Sequence, residues 1–212
     1  MGRRKKLPYI LEEEEQKELL AVFNTRYPTQ VRNKTMIKLM LDSGLRLSEA
    51  VNLKWKHINL MSGKLEVKEG KGAKDRVVYI GERTLEQLKE WRDRQAEKLK
   101  EKVRDNKGLV FTTLSGNKLN QGNVRKMVYK YAEKSGIQEY EIKENNNGKE
   151  YKERKVTPHT LRHTFATDLY RDNGNIRLVQ KALGHSDLST TMIYTHIVDE
   201  ELENAMKNFR SK

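Results

Sequence analysis

One tyrosine, two arginines, two histidines and a lysine carry most of the chemistry that this 212-residue sequence offers. Tyr194 ends the run Gly184-His185-Ser186-Asp187-Leu188-Ser189-Thr190-Thr191-Met192-Ile193-Tyr194. Arg46 lies in Ser43-Gly44-Leu45-Arg46-Leu47-Ser48-Glu49, at a join between two helices where a side chain can be aimed. Glu49, three residues on, can orient that guanidinium through a charge-assisted pair. Lys71 stands between Gly70 and Gly72, which permit a tight turn close to a ligand, and Lys74 competes with it. His159 and Arg162 fall three residues apart in Thr157-Pro158-His159-Thr160-Leu161-Arg162-His163, near a helix N-terminus that favours phosphate.

Each of these groups also has a plain reading. Arg46 and Glu49 make an ordinary surface ion pair, Lys71 an ordinary basic turn, His159 and Arg162 a solvated pair. His185 caps a helix, and Tyr194 packs on a core. The set as a whole decides. Several cations and a phenol without a carboxylate cluster suit metal-free phosphoryl transfer. Its transition state gathers negative charge on nonbridging oxygens, which guanidinium groups stabilise bidentately. A tyrosine hydroxyl, with a pKa of about 10, needs a base or a cationic field before it attacks. A departing sugar oxygen needs a proton, which a lysine delivers. His159 and His163, at i,i+4, also have zinc-ligand spacing. The glutamate of His-Glu-x-x-His is absent, however, and Arg162 stands beside the second histidine. The expectation is therefore no metal and no cofactor. The glycines around Lys71 lack the spacing of a P-loop.

The bulk composition points to the same kind of partner. The formal net charge is +13 and the sequence pI about 9.7, the footprint of a polyanion binder. Nucleic acid comes first and an anionic membrane surface second. The absence of cysteine removes disulfides, thiolate nucleophiles and cysteine-rich zinc sites. No apolar run approaches the roughly 20 residues that span a bilayer. The basic arm Arg3, Arg4, Lys5 and Lys6 is followed by no apolar stretch. It reads equally as a disordered tail or as a set of phosphate contacts. A cytoplasmic, nucleoid-associated protein is expected.

The elements that position these residues are mostly helical. Apolar periodicity predicts helices over 11–23, 30–42 and 48–53, with Ser48 a plausible N-cap and Leu47 or Glu49 equally able to begin the turn. Short strands are expected at 58–60, 64–67 and 76–80, forming a small antiparallel sheet. Further helices are expected over 84–103 and 120–135, with a buried run Leu109-Val110-Phe111 between them. Asn147-Gly148 predicts a charged, protruding hairpin across 138–156. Thr157-Pro158 starts a helix that runs to about Tyr170. Asn175–Leu183 forms another, stopped by Gly184. Ser189–Tyr194 reads as a further turn of helix, and 199–209 as an amphipathic C-terminal helix. The fold class is mainly α with a small antiparallel sheet.

Gly44-Leu45-Arg46-Leu47-Ser48-Glu49, Gly70-Lys71-Gly72, His159-Thr160-Leu161-Arg162-His163 and Leu183-Gly184-His185 followed by Tyr194 resemble, in order and spacing, the motifs of the tyrosine recombinase or phage integrase family, Xer-like members included. The resemblance runs from about Leu7 to about Phe209 and covers that family's catalytic domain. It implies that Arg46 and Arg162 clamp a scissile DNA phosphate, with His185 joining by hydrogen bonding. It makes Lys71 the general acid, His159 an aid to proton transfer at the nucleophile, and Glu49 a support for the site. It makes Tyr194 the nucleophile that forms a 3′-phosphotyrosine, so rejoining needs neither ATP nor metal. Arg3, Arg4, Lys5, Lys6, Lys74 and Arg76 are candidate DNA contacts.

The implied function is site-specific recombination on double-stranded DNA, with a tetramer assembled through the C-terminal helix and no membrane partner. Residues 1–10 are read as the basic arm and 11–212 as the catalytic domain. The family's N-terminal core-binding domain is expected to be missing, since only about 30 residues precede the second helix. Two alternatives remain open at this point. One is a type IB topoisomerase-like nicking–closing enzyme; the other is a DNA-binding protein whose catalysis is weak without that clamp domain.

Overall fold

The computed structural model describes residues 7–68, 75–99, 108–145 and 147–209. Lys71 and Lys74, and the arm residues Arg3, Arg4, Lys5 and Lys6, lie outside the described residues. The elements run α1 (Glu13–Ala21), α2 (Pro28–Ser43), α3 (Leu47–Asn52), β1 (Lys64–Val67), β2 (Arg76–Tyr79), α4 (Glu82–Leu99), α5 (Gln121–Lys134), β3 (Tyr140–Glu144), β4 (Glu150–Arg154), α6 (Pro158–Asn173), α7 (Ile176–Leu183) and α8 (Ile193–Phe209). The mainly helical class with small antiparallel sheets is what the sequence predicts.

The core forms around α2. Val31, Met36, Ile37, Leu39, Met40 and Leu41 are buried on it, and it packs against α4 and α6. Each fully buried aliphatic side chain contributes about 1.5–3 kcal/mol. On α4, Trp91 is 1% exposed and its indole N–H donates to the Val110 carbonyl at 2.6 Å. That bond satisfies the one polar group of the ring and fixes the buried run Leu109–Phe111. A second, smaller cluster joins Ala166, Val179, Leu183, Tyr194 and Ile197. It binds α6, α7 and α8 into the unit that carries the C-terminal motifs.

The two sheets are separate hairpins. β1 and β2 pair antiparallel from Lys64↔Tyr79 to Val67↔Arg76. β3 and β4 pair from Tyr140↔Arg154 to Glu144↔Glu150. The second pair is the predicted hairpin; Gly148 takes φ +74 in its turn. It is anchored at its base, where Tyr140 donates its hydroxyl to Glu133 at 2.7 Å and the Arg154 guanidinium lies 4.9 Å from the Tyr129 ring centre.

Three local expectations are corrected. Residues 58–60 are no strand: Trp55–His57 is a 3₁₀ turn, and Ile58 makes only an isolated bridge to Leu65. Ser48 does not cap α3. That helix starts at Leu47, one of the two other starts the sequence allows, and the Arg46 backbone N–H donates to the Glu49 carboxylate at 2.7 Å. The third correction matters most. The C-terminal helix begins at Ile193, not Asp199, after a 3₁₀ turn at Leu188–Thr190. Tyr194 therefore sits in the first turn of α8.

Candidate active site

The site is built where three helix ends meet. Gly44 ends α2 in the left-handed conformation, φ +60, with its N–H donating to Met40. A Cβ there would lie 2.3 Å from Phe165 Cδ1 of α6, so glycine answers both a backbone and a packing demand. Two residues later Arg46 turns its side chain to Glu49, Nη1 to Oε1 at 2.9 Å, while remaining partly exposed. This charge-assisted pair aims the guanidinium and leaves part of it open to solvent.

Arg162 comes from the first turns of α6. Thr157 caps that helix by accepting from the Thr160 N–H, and Pro158 occupies its first position. Arg162 is 6% exposed. Its Nη1 donates to the carbonyl of Gly44 and its Nη2 to that of Leu183 at 2.7 Å. Both carbonyls lie at helix C-termini, where the backbone dipoles favour a cation. Burial, with Arg46 and Arg76 nearby, pushes the Arg162 pKa down to about 10, so it stays cationic at neutral pH.

His185 is delivered by the end of α7. Gly184 adopts φ +67, and the His185 N–H closes back onto the Gln180 carbonyl at 3.1 Å. The imidazole then lies between Arg162 and Thr191: Nε2 is 3.2 Å from Arg162 Nη2 and Nδ1 is 3.1 Å from Thr191 Oγ1. Burial and the fields of Arg162, Arg46 and Arg76 push its pKa down to about 4. It is a neutral imidazole at pH 7 that can accept from Arg162 through one nitrogen. Arg46, Arg162 and His185 thus share one electrostatic neighbourhood, suited to an oxyanion.

Tyr194 is 1% exposed and belongs to the second apolar cluster. Its hydroxyl is 3.1 Å from His163 Nδ1. Burial raises its pKa to about 12, and Arg162 only partly offsets this. The reading of Tyr194 as a core residue is therefore true of this conformation, beside any chemical role. His163 is buried enough, beside His159 and Arg162, to have its pKa pushed down to about 4. His159 itself is exposed. It lines a groove of about 780 Å³ with Tyr9, Tyr129, Tyr151 and His163, between α6 and the β3–β4 hairpin.

Two residues are seated differently from what the sequence suggests. The imidazole against the Tyr194 hydroxyl is His163, not His159. In the sequence His163 stands out by its i,i+4 spacing from His159 and its place beside Arg162, neither of which points to Tyr194. Arg76, a candidate DNA contact, is buried: its guanidinium donates to both Glu49 oxygens, at 2.9 and 2.8 Å, and to the Ala182 carbonyl at 2.8 Å. A guanidinium so engaged is not presented to a DNA backbone. Among the described residues no group of three histidine or carboxylate side chains is placed to hold a metal ion. Nor is any helix long and apolar enough to cross a membrane.

The sequence profile of the phage integrase family matches residues 10–201. A tyrosine recombinase XerC from Halalkalibacterium halodurans is 35% identical over 205 residues, covering 96% of this chain and 62% of that protein. The chain spans 62–64% of the length of the first curated relatives it matches. Among solved structures, the XerH site-specific recombinase bound to palindromic difH substrate, in a post-cleavage complex, superposes with a TM-score of 0.74 at 32% identity. That match covers 97% of this chain and 54% of XerH. The catalytic domain of bacteriophage HP1 integrase, at 24% identity, shares the fold with a TM-score of 0.59 over 95% of both chains.

Proposed function

The chain belongs to the phage integrase family, and from that membership we propose that it is a site-specific DNA recombinase working through a covalent 3′-phosphotyrosine. One observation carries the reading. Arg162 is held by two helix-end carbonyls and hydrogen-bonded to His185, within the field of an Arg46 aimed by Glu49, while Tyr194 opens the helix packed alongside.

In the proposed reaction, the two guanidinium groups and His185 hold the nonbridging oxygens of a scissile phosphate and stabilise the charge that grows there. The Tyr194 oxygen attacks phosphorus, losing its proton to a neighbouring imidazole. The bond to the 5′-oxygen breaks, and that oxygen takes a proton from Lys71, a role that rests on the family motif. The phosphodiester is exchanged for a phosphotyrosine of similar energy. Attack by another strand's 5′-hydroxyl reverses the step and returns the tyrosine without ATP or metal. The Tyr194 hydroxyl must leave its buried seat to reach the phosphate, which makes the start of α8 a moving part.

Double-stranded DNA is the proposed partner, in keeping with the +13 charge and with relatives solved on DNA substrates. The proposal extends to assembly. Leu202 and Met206 on α8 are 60% and 59% exposed, an apolar stripe suited to packing on a neighbouring protomer in a tetramer on DNA. The protein is placed with the chromosome in the cytoplasm on the same reading. Residues 11–212 act as the catalytic domain, and Arg3, Arg4, Lys5, Lys6 and Lys74 remain proposed phosphate contacts. A nicked suicide duplex, from which the 5′-product diffuses away, tests the reading: wild type accumulates a protein–DNA adduct and Tyr194→Phe does not. An adduct that forms equally in Tyr194→Phe overturns it.

A further inference from the structure

Arg76 opens β2, and its side chain leaves the hairpin for the interior of the site. It is almost fully buried and uses three of its donors at once. Nη1 and Nη2 take the two oxygens of Glu49 at 2.9 and 2.8 Å; Nε takes the Ala182 carbonyl at 2.8 Å. The Glu49 carboxylate receives the Arg46 backbone N–H at 2.7 Å and the Arg46 Nη1 at 2.9 Å as well. Ala182 is the penultimate residue of α7, three positions before His185. One planar fork therefore joins the carboxylate that aims Arg46 to the helix end that delivers His185.

We propose that Arg76 is a positioning residue for the phosphate clamp: it sets Arg46, through Glu49, against His185, through the end of α7. The inference rests on the recombinase reading of the site. Three features favour positioning over simple packing. The pairing with Glu49 is bidentate, so it fixes the carboxylate plane and not merely its charge. The carboxylate so fixed is shared with Arg46 and not spent on Arg76 alone. The third bond reaches a different element, so a shift of α7 against α3 must break it. Lysine, a point charge with no fork, cannot reproduce the arrangement.

Arg76→Lys is the informative variant, because it keeps a cation beside Glu49 and avoids an orphaned buried charge. Cleavage of a nicked suicide duplex is measured at saturating DNA, with affinity measured separately. The expected result is a cleavage rate lower by about 100-fold, the effect of a misplacement of about 1 Å at a clamp, with DNA affinity changed by less than about threefold. The same duplex carrying a neutral methylphosphonate at the scissile position supplies the second readout. It lacks one of the charges the clamp neutralises, so the Arg76→Lys deficit should shrink to under about tenfold. Wild-type cleavage by Arg76→Lys, or a deficit of equal size on both substrates, overturns the proposal. If Arg76→Lys melts below the assay temperature, Glu49→Gln cuts the same linkage and must show the same substrate-dependent deficit. Arg46→Ala is the control for the underlying reading: if it cleaves normally, the clamp assignment fails, not the role of Arg76.

Discussion

The hydroxyl of Tyr194 lies 3.1 Å from Nδ1 of His163, and the ring that bears it is buried in a cluster with Ala166, Val179, Leu183 and Ile197. The pair is contributed by α6 and the first turn of α8, residues 31 positions apart in the chain. With one pKa pushed up to about 12 and the other down to about 4, both groups are neutral at pH 7. The bond is thus a neutral one, worth about 0.5–1.5 kcal/mol, strong enough to seat the hydroxyl and weak enough to break.

That balance makes His163 a restraint on Tyr194 in this conformation. His163→Phe removes the partner while keeping a ring of similar shape in the site. Tyr194 nitration by tetranitromethane in the absence of DNA should rise severalfold over wild type, read by mass spectrometry of the Tyr194 peptide. Unchanged protection would mean that packing alone holds the ring.

The two depressed imidazoles predict the pH dependence of stability. His163 and His185 are harder to protonate in the folded chain than in the unfolded one, where the ordinary pKa is about 6.5. Above pH 6.5 neither state is protonated there and the two histidines impose no penalty. As pH falls from about 6.5 to about 4 the unfolded chain binds protons that the folded chain refuses, so stability falls by an amount on the order of a few kcal/mol. Charges on Arg162, Arg46, Arg76 and His159 face these rings and add to the burial that resists protonation. Thermal unfolding across that range should lose much of its slope in His163→Gln/His185→Gln.

Gly44 is a test of the junction between α2 and α3. Gly44→Ala forces a side chain into φ +60, which costs about 1–2 kcal/mol, and pushes a methyl against Phe165. The carbonyl of the same residue accepts from Arg162. The variant should therefore lose at least that stability in urea and also cleave more slowly per folded molecule. A stability loss with normal cleavage would show that the Arg162 contact tolerates the shift.

Thr191 is fully buried and orients His185 through its hydroxyl. Thr191→Val keeps the shape and removes the polar atom. Suicide-duplex cleavage should fall by about tenfold, in line with a lost hydrogen bond of about 1.4 kcal/mol expressed in the transition state. Thr191→Ser should retain most of the rate.

Much of this architecture is legible from local chemistry. Gly44, Gly174 and Gly184 end helices in the left-handed conformation that their residue type permits, and Thr157-Pro158 starts one. Asn147-Gly148 marks the hairpin. What sequence reading misplaces depends on distant partners. Arg76 looks like a surface cation because Glu49, which buries it, lies 27 positions earlier. The start of α8 is misplaced because Thr195-His196-Ile197-Val198, rich in β-branched residues, carries little helical signal between the turn expected at Ser189–Tyr194 and the helix expected from Asp199; Ile193, Tyr194 and Ile197 join one helix that packs on α6 and α7. The contact of His163 with Tyr194 is missed for the same reason, since nothing adjacent in sequence announces Tyr194.

The most direct test of the central claim is the site of covalent attachment. A nicked suicide duplex is incubated with the protein, the adduct is digested, and the nucleotide-bearing peptide is mapped. The account predicts a single 3′-phosphonucleotide on Tyr194, with no adduct in Tyr194→Phe. Attachment to any other residue, or a Tyr194→Phe protein that still becomes linked to DNA, would contradict it.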